Sequence, residues 1–224
     1  VVLFDIDGTL LHAGPLPRRA FGEALRETFG TVATVDDHPF AGKTDPQIAR
    51  EVLRAAGISD RDIEAGLPAL FDAYLTRLQL GLGVEKEAPR VLPGVVALLD
   101  ALSADGRVVL GLLTGNLARG AELKLEAAGL GGWFAFGAYG SDSPHRPHLP
   151  SFALARAEAS GVRVASMVVV GDTPLDVACG RAAGARTVAV ATGGFGVGDL
   201  TACGADVVLR DFEDTTRAVA ALLG

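Results

Sequence analysis

Short runs of apolar residues punctuate the chain at 1–4, 108–113, 167–170, 187–191 and 207–209. Each is continuous rather than alternating, the pattern of a strand buried on both faces of a parallel sheet. Between them, apolar positions recur at helical spacing over about 94–104, 116–128, 150–161, 174–184 and 213–223. Strand alternating with helix through the second half predicts a doubly wound α/β sheet.

Residues 14–90 break that rhythm and show no strand pattern. Phe21, Leu25 and Phe29 recur every fourth residue, and Ile48 and Val52 repeat the spacing behind Thr44-Asp45-Pro46, where proline fits a first helical turn. A third helix opens at Ser59 with Asp62 three residues on, resembling a capping box, and Pro68 is expected to bend or interrupt it. The Gly- and Pro-rich stretch 81–93 reads as a return linker. The expected organisation is therefore an α/β core formed by 1–13 and 91–224, with a helical insert at 14–90 directly after the first strand. Glycine and proline near 12–15 and 87–90 mark both crossings as expected hinges.

Composition narrows the function. The 224 residues suffice for one sizeable core plus a small insert. A net charge of −7 repels phosphate backbones over most of the surface, so no nucleic-acid partner is expected. Mean hydropathy is +0.34, yet no apolar run approaches the ~18 residues of a membrane span. Cys179 and Cys203 lie in apolar surroundings without C-x-x-C spacing. They read as two buried thiols of a soluble cytoplasmic protein.

In an open parallel sheet, ligands bind beyond the carboxyl ends of the strands. Three apolar runs end there in polar groups: Asp5-Ile6-Asp7-Gly8-Thr9, Thr114-Gly115-Asn116, and Gly171-Asp172 with Asp176 four residues on. Two acids directly after a buried strand are costly unless used. Asp5, Asp7, Asp172 and Asp176 together call for a cation, and hard oxygen donors without His or Cys suit Mg²⁺ better than zinc.

These three motifs, in this order, resemble those of the haloacid dehalogenase-like phosphohydrolases, and the resemblance spans essentially the whole chain. The insert resembles the small helical cap of the phosphoglycolate phosphatase-like and β-phosphoglucomutase-like branches. The stretch between Thr114 and Arg146 leaves no room for the larger cap of other branches. The resemblance implies a Rossmann-like core and a Mg²⁺-dependent phosphatase acting on a small phosphorylated metabolite. Asp5 would be the nucleophile and Asp7 the general acid and base. Asp5, the Asp7 carbonyl and Asp172 would hold the metal, and Asp176 would orient it from behind. Thr114, Gly115 and Asn116 would cradle the phosphate at the start of a helix. The family's third motif has Lys before Pro; Arg146 stands in that place, able to fork bidentately where Lys is a point charge.

Lys43, between the first two insert helices, falls where such a cap presents a specificity loop; its bland alternative is an exposed helix-entry lysine. His145 and His148 read as solvent-facing loop histidines. Gly42-Lys43-Thr44 mimics the end of a phosphate-binding P-loop, but Asp37 stands where its first glycine belongs. Gly193-Gly194-Phe195-Gly196 lacks dinucleotide-binding spacing and reads as a flexible loop after a core strand. The alternatives to hydrolysis are a sugar-phosphate mutase using the same motifs and a non-catalytic binding protein; the intact carboxylates weigh against the latter.

Overall fold

The computed structural model describes residues 1–30, 35, 37–84 and 88–224. Six parallel strands make one sheet: β1 (Val2–Phe4), β4 (Leu110–Leu113), β5 (Phe136–Ala138), β6 (Val168–Gly171), β7 (Arg186–Val190) and β8 (Val207–Leu209), in the order β5-β4-β1-β6-β7-β8. The chain runs outward from β1 to β5, then returns to the other side of β1 with β6. The order therefore reverses around the first strand, which is where an open α/β sheet leaves a crevice.

Register fixes what meets in that crevice. Val2 pairs with Leu110 on one side and Val168 on the other, and Phe4 with Leu112 and Val170. Asp5 and Asp172 thus emerge side by side, and the Asp5 N–H donates to the Val170 carbonyl at 2.9 Å. Alternate residues face opposite layers. Phe4, Leu112 and Val170 pack with Leu98 and Leu99 of α4 (Val95–Ser103) and Ala221 and Leu222 of α9 (Thr215–Leu223). Leu3, Leu113 and Val169 pack with Leu149 and Ala153 of α6 (Leu149–Ala159) and with Cys179 of α7 (Pro174–Ala182). A short α8 (Val197–Ala202) covers β7 and β8 through Leu200. β5, with a glycine at its centre, was not expected from the sequence.

Residues 14–90 hold α1 (Leu16–Phe29), α2 (Asp45–Ala55) and α3 (Asp60–Leu82). They close over a second hydrophobic cluster in which Phe21 stands edge-on to both Tyr74 and Phe40. Thr44 caps α2 by accepting from the Gln47 N–H at 3.1 Å, and Ser59 caps α3 through the Asp62 N–H at 3.2 Å. The two crossings to the sheet are joined by a ribbon that the apolar pattern did not reveal: β2 (Leu11–His12) pairs antiparallel with β3 (Arg90–Val91). The expected hinges adjoin this ribbon; Glu87, the first residue of the second one, lies outside the described residues. Between the layers runs α5 (Ala118–Ala127), which gives Ala121 and Leu125 to the sheet cluster and Leu123, with the preceding Leu117, to the helical one. Among the described residues no helix is long and apolar enough to cross a membrane.

α3 runs unbroken through Pro68, so the proline does not interrupt the helix. Ile63, Leu67, Leu70, Tyr74 and Leu78 anchor it on both sides of the proline, and Pro68 itself is exposed. Tertiary packing thus outweighs a helix-interior proline that costs ~3 kcal/mol through a lost N–H and a ring clash. Pro68→Ala should therefore raise stability by about 1–3 kcal/mol in urea unfolding, the gain reduced by the freer unfolded chain. No gain would mean that the helix is locally distorted to suit proline.

Candidate active site

Asp5 is buried directly beyond β1, and Asp172 beyond β6. Gly8 and Gly193 make room for Asp172: a Cβ on either would lie 2.4 or 1.7 Å from its Oδ2. The glycine-rich loop after β7 is therefore part of the site rather than a mere connector. The Thr9 hydroxyl donates to Asp172 Oδ1 at 3.3 Å.

Asp176 is the N3 residue of α7. Its Oδ2 accepts from the Thr173 N–H at 3.0 Å and the Thr173 hydroxyl at 2.7 Å, closing a capping box, while Oδ1 accepts from Arg146. Both oxygens are engaged. Arg146, buried on a single 3-10 turn (Arg146–His148), also stands 3.3 Å from Asp5 Oδ1 and donates to the Leu113 carbonyl at 3.3 Å and the Gly42 carbonyl at 3.1 Å. A guanidinium reaches these four groups at once, which the three-donor point of a lysine could not do in the same geometry. Its Nε is buried without a partner among the described residues.

Asp5, Asp172 and Asp176 bring carboxylate oxygens within 4.8 Å of one another. Burial, then the neighbouring acids, raises the Asp5 carboxyl to about 6 against the pull of Arg146. Burial followed by Asp176 and Asp5 raises Asp172 to about 8. Three hard carboxylates facing one guanidinium fit a divalent cation by donor chemistry and by unmet charge.

A second set of groups surrounds Asp7. Its Oδ2 accepts from Lys124 Nζ at 2.7 Å and from Asn116 Nδ2 at 2.8 Å. Lys124 Nζ also donates to Asn116 Oδ1 at 2.7 Å, and Asn116 Nδ2 to the Thr114 hydroxyl oxygen at 2.8 Å. Asn116, expected at the phosphate, thus uses its side chain to tie Thr114, Asp7 and Lys124 together. Thr114 accepts in these bonds, which leaves its hydroxyl proton uncommitted among the described residues.

The segment entering α2 lies against these strand ends. The Asp45 N–H donates to the Gly115 carbonyl at 2.8 Å, and a Cβ on Gly115 would sit 2.1 Å from the Lys43 carbonyl oxygen. Asp45 itself is buried, and its Oδ2 accepts from the Leu117 N–H at 2.8 Å, capping α5 from a different part of the chain. Burial lifts its carboxyl to about 6, opposed by Lys124 and that N–H. Lys43 is neither exposed nor unpaired: Nζ lies 2.5 Å from Glu51 Oε2, which also meets His38 Nε2 at 2.9 Å.

A cavity of about 550 Å³ separates the sheet edge from α1–α3. Asp5, Asp7, Thr114, Gly115, Asn116, Arg146 and Asp172 line it, together with Lys43, Lys124, Arg18 and Arg90. Asp176 stands behind Arg146 and Asp172 rather than at the wall. Tyr74 lines the cavity too, buried and with no hydrogen-bond partner for its hydroxyl among the described residues. His145 and His148 are exposed and belong to no cluster of metal donors among the described residues. Cys179 is buried, its thiol pushed up to about 12 by burial, while Cys203 is half-buried rather than buried; both are free.

Sequence reasoning missed Lys124, Asp45 and Tyr74. A signal existed for the first: the chain has 17 Arg but only 3 Lys, so a lysine inside the apolar Leu123-Lys124-Leu125 run was already unusual.

Comparison with known proteins agrees with this arrangement. The family model of the haloacid dehalogenase-like hydrolases matches residues 1–184. Phosphoglycolate phosphatase of Rhodospirillum rubrum is 32% identical over 221 residues, spanning 94% of this chain and 87% of that protein. Its plasmid-borne namesake from Cupriavidus necator is 31% identical over 228 residues, spanning 99% and 92%. The crystal structure of a hydrolase from Pseudomonas syringae superposes with a TM-score of 0.72 at 25% identity, over 100% of this chain and 99% of that one. A match over most of the chain, from β1 through α7, makes this protein a member of the haloacid dehalogenase-like hydrolases.

Proposed function

We propose that the protein is a cytoplasmic, Mg²⁺-dependent phosphatase of a small phosphate monoester bearing a second anionic group, phosphoglycolate or a sugar phosphate of similar size. Residues 1–13 and 91–224 form the catalytic core, and 14–90 a cap over it. One Asp5 oxygen attacks phosphorus as the bond to the alcohol oxygen breaks, and Asp7 gives that oxygen its proton. Asp7 then takes a proton from the water that attacks the aspartyl-phosphate, releasing phosphate and restoring Asp5. Thr114, Gly115, Asn116 and Arg146 hold the phosphoryl oxygens. Asp5, the Asp7 carbonyl and Asp172 would hold Mg²⁺, which when bound offsets the repulsion between carboxylate and phosphate dianion. Asp176 orients Arg146 and this cluster.

The observation that carries the reading is the convergence of Asp5, Asp7, Arg146 and Asp172 on one cavity of about 550 Å³, a size suited to a small metabolite. Arg18 and Arg90 line the same cavity, which favours a substrate with a second negative charge. The relatives named phosphoglycolate phosphatase support the same class. Free Cys179 and Cys203 agree with a reducing compartment.

Phosphate release from a panel of small esters tests this directly. Turnover should require Mg²⁺, favour phosphoglycolate-sized anions, and fall by ~10³-fold or more in Asp5→Asn. Metal-independent release, or an Asp5→Asn variant as active as wild type, would sink the reading.

A second test uses stability. Unfolded Asp carboxyls titrate near ~4, whereas Asp5 and Asp45 stand at about 6 and Asp172 at about 8. The folded metal-free protein therefore binds more protons than the unfolded chain, so its stability falls as pH rises across this window. In chelator, the thermal midpoint should be lower at pH 8 than at pH 5.5, and Mg²⁺ should raise it more at pH 8, where fewer protons need be displaced. A flat profile, or no response to Mg²⁺ at pH 8, would count against a metal site at these carboxylates.

A further inference from the structure

Lys124 is a buried cation for which the chemistry above names no role. It rises from the second turn of α5, on a helix packed between the sheet cluster and the helical cluster, and its side chain is 3% exposed. Placing an ammonium there is costly unless its donors are met. Two of its three donors are met by the site itself: Asp7 Oδ2 and Asn116 Oδ1, each at 2.7 Å.

The contact with Asp7 is selective. Lys124 and Asn116 both donate to Oδ2, and no bond to Oδ1 occurs among the described residues. Two N–H donors on one oxygen fix the carboxyl about its own axis. Oδ1 is left as the oxygen free to meet a reacting group.

We infer that Lys124 is a positioning residue for proton transfer: it clamps Asp7 through Oδ2 so that Oδ1 is the oxygen presented to the leaving group. The inference rests on the phosphatase reading above. As the bond from phosphorus to the alcohol oxygen breaks and the bond to Asp5 forms, the Oδ1 proton moves to the departing oxygen. The carboxylate left behind on Asp7 then faces the Lys124 ammonium. In the second step the same oxygen takes a proton from the attacking water, and Asp7 returns to its starting form.

A leaving group that needs no proton should therefore be indifferent to Lys124. In Lys124→Met, kcat/KM for phosphoglycolate should fall by ~10²-fold or more, the scale of a lost general acid. For p-nitrophenyl phosphate, whose aryl oxide departs unprotonated, the fall should stay within ~5-fold. Lys124→Arg, which keeps the charge, should recover part of the loss on phosphoglycolate. A merely structural lysine would depress both substrates alike, and equal losses, or none, overturn the inference.

Should Lys124→Met fail to fold, the double variant Asp7→Asn/Lys124→Met removes the charges together. Turnover of phosphoglycolate equal to that of Asp7→Asn alone supports action through Asp7, and a further ~10-fold loss refutes it. Wild-type protein inactive on every ester would instead bring down the phosphatase reading, a different result from an active wild type whose Lys124 variants lose both substrates equally.

Discussion

Asp5, Asp172 and Asp176 lie buried with oxygens within 4.8 Å of one another, and Arg146 is the cation in contact with them among the described residues. Mutual repulsion of this kind is tolerable only where each charge has fixed partners. The sheet supplies them through register: pairing Phe4 with Leu112 and Val170 sets the ends of β1, β4 and β6 level, so that backbone, hydroxyl and guanidinium donors converge. Burial first, and the Asp176 and Asp5 charges next, raise the Asp172 carboxyl to about 8. Arginine at position 146 follows from the same demand, since one side chain has to serve Asp5, Asp176 and two carbonyls.

The helical layer is bound to this cluster by backbone as much as by hydrophobic contact. Gly42 accepts from Arg146, Asp45 donates to the Gly115 carbonyl, and Thr44 donates to the Pro144 carbonyl at 2.8 Å. Gly115 has to lack a side chain because the Lys43 carbonyl fills that space. α5 completes the junction: Asp45 caps it from the helical layer, while its Lys124 reaches down to the strand ends.

The layout was legible because its strands are buried on both faces. Continuous apolar runs identified β1, β4, β6, β7 and β8 within a residue or two, and the acids that end them marked the site. Three-residue β5, with Gly137 at its centre, carries too little apolar signal, and the two-residue ribbon β2–β3 depends on a partner almost eighty positions away. Pro68 does not interrupt α3 because packing on both sides of it outweighs local propensity. Lys43 was read as a specificity-loop lysine or an exposed helix-entry one; its ion pair with Glu51 joins residues eight apart across a helix entry that spacing alone does not fold.

Lys124 and Asp45 were obscured for a shared reason. Each is a charged residue in a helical pattern, and on a surface helix such residues face water. Here α2 enters, and α5 runs, at a boundary between two hydrophobic layers, so these two side chains face a cavity instead of solvent. A charge so placed has to be answered by an opposite charge or a hydrogen-bond donor close by. Lys124 accordingly meets Asp7, and Asp45 meets the N-terminus of α5. Covering the strand ends with helices and orienting the residues that carry protons there are therefore one structural event, because the same burial that excludes water fixes the partner of every charge inside.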